Sequence, residues 1–143
     1  MRALLGIAIM VVTITAEAQL WSLPEAACEA SLEFLDIYTK GGDTAAIKAI
    51  NSCHAGITDK TAFNLATARC FTMDMMGSLL GNYRMEVLGE KDVPGFYIDK
   101  GGFFGRGMSY LLLVPREQLD PVVQTISNCI LEVMPELKPP SPR

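Results

Sequence analysis

The sequence predicts a small all-α protein: a disulfide-linked bundle of four to five helices with an irregular insert rich in glycine and aromatic residues. Two observations carry this prediction. Apolar residues recur at spacings of three and four along several long stretches, which is the pattern of amphipathic helices. Four cysteines follow an export signal, and an even number of cysteines in an exported protein is typical of a disulfide framework.

Residues 1–18 have the pattern of a secretory signal peptide. A positive start precedes an apolar run over residues 4–12, and Ala16-Glu17-Ala18 supplies the small residues of a cleavage site. The apolar run is shorter than the about 20 residues that span a bilayer, so we expect no membrane span after cleavage. The sequence has no N-x-[ST] acceptor, which favours the bacterial periplasm over a eukaryotic secretory route.

We expect residues 19–137 to form a single helical domain, followed by a flexible proline-rich tail over residues 138–143. The formal net charge is −4, and the sequence contains no stretch in which basic residues cluster. A binding partner made of nucleic acid is therefore not expected.

The first two helices are predicted to form an antiparallel hairpin. Ser22-Leu23-Pro24-Glu25 has the pattern of a capping box with proline in the first turn, and Gly41-Gly42 is a helix stop. A shorter helix then ends at Gly56. The hairpin places Cys28 and Cys53 at nearly the same height, within reach of a disulfide.

The disulfide pairing follows from this hairpin. Cys53 lies close to the next turn, whereas Cys70 is expected far along the following helix, so these two are poorly matched. We therefore predict the pairs Cys28–Cys53 and Cys70–Cys129.

The third helix is predicted over Thr58 to Asn82, with Thr58 or Asp59 as its cap and Gly81-Asn82 as its stop. We expect this helix to be central, since its apolar positions cover more than one face. The main stripe consists of Phe63, Ala66, Cys70, Met73, Gly77 and Leu80.

The insert follows this helix. Residues 85–88 are either a strand or the helix continued, and six glycines with Pro94 lie between Gly89 and Gly107. A turn over residues 99–102 separates two short aromatic runs, which leaves open a short β-hairpin. The apolar run over residues 108–114 slightly favours helix over strand.

The last helix is predicted to start at Asp120-Pro121, after a polar turn opened by Pro115, and to end before Pro135. Its inner stripe consists of Val122, Ile126, Cys129 and Val133.

Motifs for catalysis and metal binding are missing from the sequence. There is one histidine, His54, and no C-x-x-C, H-E-x-x-H or G-x-S-x-G pattern, so we predict no catalytic residue, no metal site and no cofactor. His54 is interpreted as a helix-end residue, where a cation suits the helix dipole, and a pH-sensing or catalytic role is its alternative. Asp74 is interpreted as a solvated or hydrogen-bonded structural acid, and a buried functional acid is its alternative.

The insert supplies the predicted binding residues. Glycine gives the backbone freedom and aromatic side chains give contact area, a combination that suits protein recognition. A purely architectural role and an anion site built on Arg106 with backbone N–H groups are the alternatives. The candidate binding residues are Phe96, Tyr97, Phe103, Phe104 and Arg106.

We therefore expect an exported, non-enzymatic protein that acts by binding an unknown protein partner. One alternative is a periplasmic inhibitor or immunity-type protein against a cognate enzyme, and another is a carrier of small apolar ligands. The sequence resembles that of periplasmic immunity proteins that neutralise secreted cell-wall amidases. The resemblance consists of Glu25, Cys28, Cys70 and Val114-Pro115 leading into Gln118-Leu119. The cysteines of those proteins after the last helix are missing here, so we assign no family and retain only the class.

Overall fold

The computed structural model describes residues 22–99 and 102–137. The regular elements, in order, are α1 (Leu23–Ala55), α2 (Leu65–Glu86), α3 (Gly95–Ile98), a π-helical turn (Phe104–Met108), α4 (Ser109–Leu111), α5 (Arg116–Val133) and a 3-10 turn (Met134–Glu136). Within the described ranges there is no strand. The predicted all-α, disulfide-linked bundle is confirmed, and the β-hairpin left open for the insert is not formed. The predicted signal peptide and tail lie outside the described residues.

Helix α1 reverses its direction at Gly42. This residue has a φ of 63° and a ψ of −158°, a combination that glycine adopts far more readily than any other residue. Glu29, before the reversal, bonds Arg69 near the start of α2, and Cys53, after it, is joined to the adjacent Cys70. In a straight helix, residues 29 and 53 would lie about 36 Å apart. The predicted antiparallel hairpin is therefore confirmed, with Gly42 at its turn.

The start of α1 agrees with the prediction in position but not in detail. The helix begins at Leu23 with Pro24 in its first turn, yet the side chain of Ser22 makes no capping hydrogen bond. The predicted capping box is therefore not formed. Instead, the backbone N–H of Ala26 donates to the carbonyl of Ser22 at 3.1 Å.

Helix α2 begins at Leu65, later than the predicted start at Thr58. The cap is Asn64, whose side chain accepts from the N–H of Thr67 at 3.0 Å, while the hydroxyl of Thr67 accepts from the N–H of Asn64 at 2.8 Å. Two otherwise unpaired N–H groups are satisfied in this way. The residues before Asn64 form an irregular connection instead of helix.

The predicted stop at Gly81-Asn82 is also wrong, because α2 continues to Glu86. Gly77 and Gly81 are buried where Tyr97 of α3 packs across them. A Cβ atom on Gly81 would lie 2.6 Å from the Cβ of Tyr97, and one on Gly77 would lie 2.9 Å from its ring. These glycines allow the insert to approach the helix closely rather than ending it.

Helix α5 begins at Arg116, not at the predicted Asp120-Pro121. The expected polar turn after Pro115 is the first turn of the helix, closed by the N–H of Gln118 donating to the Pro115 carbonyl at 2.8 Å. Pro121 therefore lies inside the helix, where it lacks the N–H that would continue the ladder. The predicted inner stripe is buried: Val122, Ile126, Cys129 and Val133.

The predicted disulfide pairing is wrong. The structure joins Cys28 to Cys129 and Cys53 to Cys70, with Cα–Cα distances of 4.8 Å and 5.4 Å. The hairpin does bring Cys28 and Cys53 to the same end of the molecule, but their sulfurs bond different neighbours. Because α2 starts at Leu65, Cys70 lies in its second turn, opposite Cys53, rather than far along the helix.

A buried arginine holds the turn of α1 against the far end of α2. Nη1 of Arg84 donates to both carboxylate oxygens of Asp43 at 2.7 Å and 2.9 Å, and its Nε donates to Glu90 at 2.8 Å. Burial disfavours the charged guanidinium, but the hydrogen bonds to Asp43 and Glu90 outweigh it and raise the pKa of Arg84. The turn at Gly42 is thus fixed by an ion pair as well as by packing.

Candidate functional site

Asp74 lies in the middle of α2 and is only 1 % exposed. A buried carboxylate must be paired to be tolerated, and this one has two partners. Arg106 donates to it through Nε at 3.0 Å and through Nη2 at 2.7 Å, and Nε2 of His54 lies 3.0 Å from its Oδ2. Asp74 is therefore hydrogen-bonded and not solvated. Its burial agrees equally with the alternative of a buried functional acid, so the choice between a structural and a functional role stays a prediction.

His54 lies in the last turn of α1, as predicted, and is held in one orientation. A carboxylate only accepts hydrogen bonds, so the hydrogen between His54 and Asp74 belongs to Nε2. The other ring nitrogen, Nδ1, is 3.5 Å from the hydroxyl of Tyr110, and the two rings stack with centroids 5.7 Å apart. The Asp74 carboxylate thus orients an imidazole whose second nitrogen faces Tyr110.

Tyr110 remains a hydrogen-bond donor at neutral pH. Its pKa is raised, first by burial and then by the negative charge of Asp74. The hydroxyl is protonated at neutral pH, as in any tyrosine, and can donate a hydrogen bond to His54 or to a bound group.

Arg106 connects the insert to the central helix. It lies in the π-helical turn, a geometry that is frequent at functional sites. Besides bonding Asp74, its Nη2 donates to the carbonyl of Phe96 at 3.0 Å, and its guanidinium carbon lies 3.6 Å from the centre of the Phe96 ring. Such stacking of a cation on an aromatic face adds to the electrostatic attachment.

These residues border an open polar cavity of about 510 Å³. It is lined by His54, Lys60, Gly105, Arg106, Ser109, Tyr110 and Leu113. Three of these side chains are basic and two carry hydroxyl groups, while the described lining contains no acid. The cavity can therefore bind an anionic group.

The protein also exposes apolar surface at Leu112, the residue before Leu113 of the cavity lining. Leu112 is 86 % exposed and Phe104 is 58 % exposed. Leu112 borders an open groove of about 700 Å³, whose apolar lining is Phe71, Met75, Phe103, Met108, Leu111, Leu112, Leu119 and Val123. We call Phe104, Leu112 and this groove the insert surface.

The five candidate binding residues are divided by the structure. Phe104 is exposed on the insert surface, and Phe103 is half-buried against Phe71, with ring centroids 5.6 Å apart. Phe96 and Arg106 are half-buried against each other. Tyr97 is 1 % exposed beneath α3, so its place in a contact surface is a correction: its ring belongs to the core because Gly77 and Gly81 leave room for it.

Sequence reasoning missed the contact between His54 and Asp74, and it missed Lys60, Tyr110 and Leu112 altogether. The one available signal was that His54 directly follows Cys53 and that Asp74 lies one helical turn, four residues, after Cys70. Only the pairing of those two cysteines brings the neighbouring side chains together.

The described residues include no group of three or more histidine, cysteine, aspartate or glutamate side chains placed to hold one metal ion. Among the helices of residues 22–99 and 102–137, none combines the length and the apolar character needed to cross a membrane.

Comparison with known proteins gives no further guide to the site. The sequence matches no family model, no curated protein and no solved structure.

Proposed function

We propose that this is an exported, non-enzymatic protein that acts by binding another protein through the insert surface. The supporting observation is the exposure of Leu112, which borders an open apolar groove, and of Phe104, whose ring lies 5.7 Å from that of Phe103 in the groove lining. Contiguous exposed apolar surface is rare on a protein that acts alone and usually marks an interaction site. Phenylalanine and methionine, which line the groove, are enriched in protein interfaces.

The disulfides support the exported part of this proposal. All four cysteines are joined in two bonds, and such bonds form and persist in oxidising compartments but are rare in the cytosol. The bacterial periplasm is the compartment that we propose, because the sequence has no acceptor for N-glycosylation. An immunity-type inhibitor is the special case in which the partner is one cognate enzyme.

A carrier of small apolar ligands is the second candidate, and the size of the groove favours it. Its volume of about 700 Å³ falls within the range of about 300–1,000 Å³ that is usual for ligand sites. Native mass spectrometry of the exported protein would show a bound lipid or another small apolar molecule if the groove served this purpose.

Two exposed leucines allow a matched test of the protein-binding proposal. Leu112 lies on the insert surface, whereas Leu131 of α5 is 67 % exposed outside the groove lining. Affinity capture from the exported fraction of the source cells should yield one stoichiometric protein with the wild type and with Leu131→Ser, but not with Leu112→Ser. Both variants should keep their helical circular dichroism, since neither side chain is buried.

Equal capture by both variants would refute the insert surface as the contact. Loss of the partner from both variants would show that the contact surface extends from Leu112 to Leu131 of α5. Activity of a purified partner enzyme, measured with and without one equivalent of this protein, separates the inhibitor from a binding protein of another kind.

A further inference from the structure

We propose that the polar cavity beside the insert surface binds a carboxylate group of the same protein partner, from an acidic side chain or from its C-terminus. This inference rests on the proposed function, since it specifies the chemistry of the partner. It concerns a second, polar site next to the apolar one.

The charges around the cavity favour a single negative charge. The Arg106 guanidinium is paired with the buried Asp74 carboxylate through two hydrogen bonds, so these two charges largely cancel. Lys60 is exposed at the cavity and has no carboxylate within ion-pair distance among the described residues. The cavity is thus left with about one unit of positive charge in a protein whose formal net charge is −4.

The hydrogen-bonding groups of the cavity match an acceptor. Tyr110 and Ser109 both line the cavity, and each carries a hydroxyl group that can donate a hydrogen bond. Ser109 donates only a long bond of 3.4 Å to the carbonyl of Arg106, so its hydroxyl is easily redirected. A carboxylate accepts up to about four hydrogen bonds and suits such a set of donors.

A monoanion fits this site better than a phosphate. A phosphate group carries about two negative charges at neutral pH and usually binds to several unpaired cations. Lys60 is the one lining cation without an acidic partner among the described residues, and it matches the single charge of a carboxylate.

The position of the cavity specifies the rest of the partner motif. Leu112 borders the apolar groove and the next residue, Leu113, borders the cavity. A partner segment that covers Leu112 with apolar side chains would therefore bring a neighbouring acidic side chain to Lys60. The expected motif is an aspartate, a glutamate or the terminal carboxylate of the partner, flanked by apolar residues.

His54 provides a direct reporter, because it is the only histidine of the protein and borders the cavity. Its imidazole resonances would be followed by NMR in the mature protein during titration with N-acetyl-glutamic acid amide at constant ionic strength. The neutral analogue N-acetyl-glutamine amide is the matched control. N-acetyl-alanine reports on a terminal carboxylate, and inorganic phosphate reports on a dianion.

We expect the resonances of His54 to move saturably with the glutamic acid probe and not with the glutamine probe. Lys60→Gln should weaken this binding about fivefold or more, since it removes one close charge. Lys48→Gln is the control, because Lys48 is exposed on α1 and does not line the cavity. A stronger response to N-acetyl-alanine than to the glutamic acid probe would assign the cavity to a terminal carboxylate and support the proposal.

Three results would overturn the proposal: equal shifts with the charged and neutral probes, equal weakening by both lysine substitutions, or tighter binding of phosphate than of either carboxylate. These outcomes are independent of the capture experiment. If the cavity fails to bind a carboxylate while Leu112→Ser still loses the partner, the insert surface stands and only the inference about the cavity is refuted.

Discussion

Replacing Arg106 with methionine should be among the most damaging changes outside the apolar core. The substitution keeps most of the aliphatic stem but removes the guanidinium, and Asp74 is then left with His54 as its one remaining side-chain hydrogen-bond partner among the described residues. At 1 % exposure, the carboxylate of Asp74 has no water to replace the lost bonds. Removing one member of a buried ion pair typically costs about 3–5 kcal/mol of stability.

The reverse substitution should be milder. In Asp74→Asn, the unpaired group is Arg106, whose side chain is 21 % exposed and can reach solvent. We expect this variant to lose about 1–3 kcal/mol, the usual cost of a buried polar group that loses its charged partner. The double variant should lose less than the sum of the two single losses, with a coupling of about 2 kcal/mol.

Arg69 provides the control, because it lies on α2, the helix that carries Asp74. It bonds Glu29 and Glu33, but its side chain is 35 % exposed and theirs are 61 % and 44 % exposed. Surface pairs of this kind contribute about 0–1 kcal/mol, so Arg69→Met should lose less than about 1 kcal/mol. Urea unfolding followed by far-ultraviolet circular dichroism at neutral pH gives all of these free energies.

The reasoning would be refuted if Arg106→Met lost no more stability than Arg69→Met. The contact between Asp74 and Arg106 would then not hold the insert to α2. A larger loss from Asp74→Asn than from Arg106→Met would contradict the argument from burial, because it would mean that the arginine is the harder charge to leave unpaired.

Two further predictions concern the surroundings of Tyr97 in α3. Gly81→Ala should lose about 1–3 kcal/mol of stability by crowding Tyr97, despite the better helix propensity of alanine. Gly95→Ala is the control and should change stability by less than about 0.5 kcal/mol, since its Cβ would meet nothing within 4 Å. Equal effects of the two substitutions in urea unfolding would contradict this packing. Burial, and then the negative charge of Asp43, raises the pKa of the Tyr97 hydroxyl, which faces Asp43 without hydrogen-bond geometry. The unfolded protein therefore loses this proton first, from about pH 10, so stability should fall as the pH rises beyond that value. Tyr97→Phe should reduce the slope and change stability at neutral pH by less than about 1 kcal/mol; an unchanged alkaline slope would count against a raised pKa.

Much of the fold follows from patterns that lie within single helices. The break at Gly42, the end of α1 at Gly56 and the buried stripe of α5 are each decided by local spacing or by a glycine, and each agrees with the prediction. The errors at the start and the end of α2 have a different origin. Asn64 outcompetes Thr58 as a cap, and Gly81 is required by a side chain from another element.

The candidate site depends on contacts that no local pattern contains. The error in the start of α2 placed Cys70 too far along the helix and so gave the wrong disulfide partners. With the wrong partners, nothing in the sequence indicated that His54 and Asp74 would meet. The insert was predicted as the binding segment from its composition, but composition does not show which aromatic ring faces inward, and Tyr97 does so.

The bond between Cys28 and Cys129 closes a covalent ring around most of the described residues, including α2 and the whole insert. A protease that cuts the exposed connection after α2 once would therefore release no fragment, and the nicked protein would keep its mass apart from one added water. Release of a fragment that carries the insert would require either a second cut or reduction of the Cys28–Cys129 bond after the first one. A polypeptide built in this way keeps its insert attached after a single cut that would divide a chain without the bond.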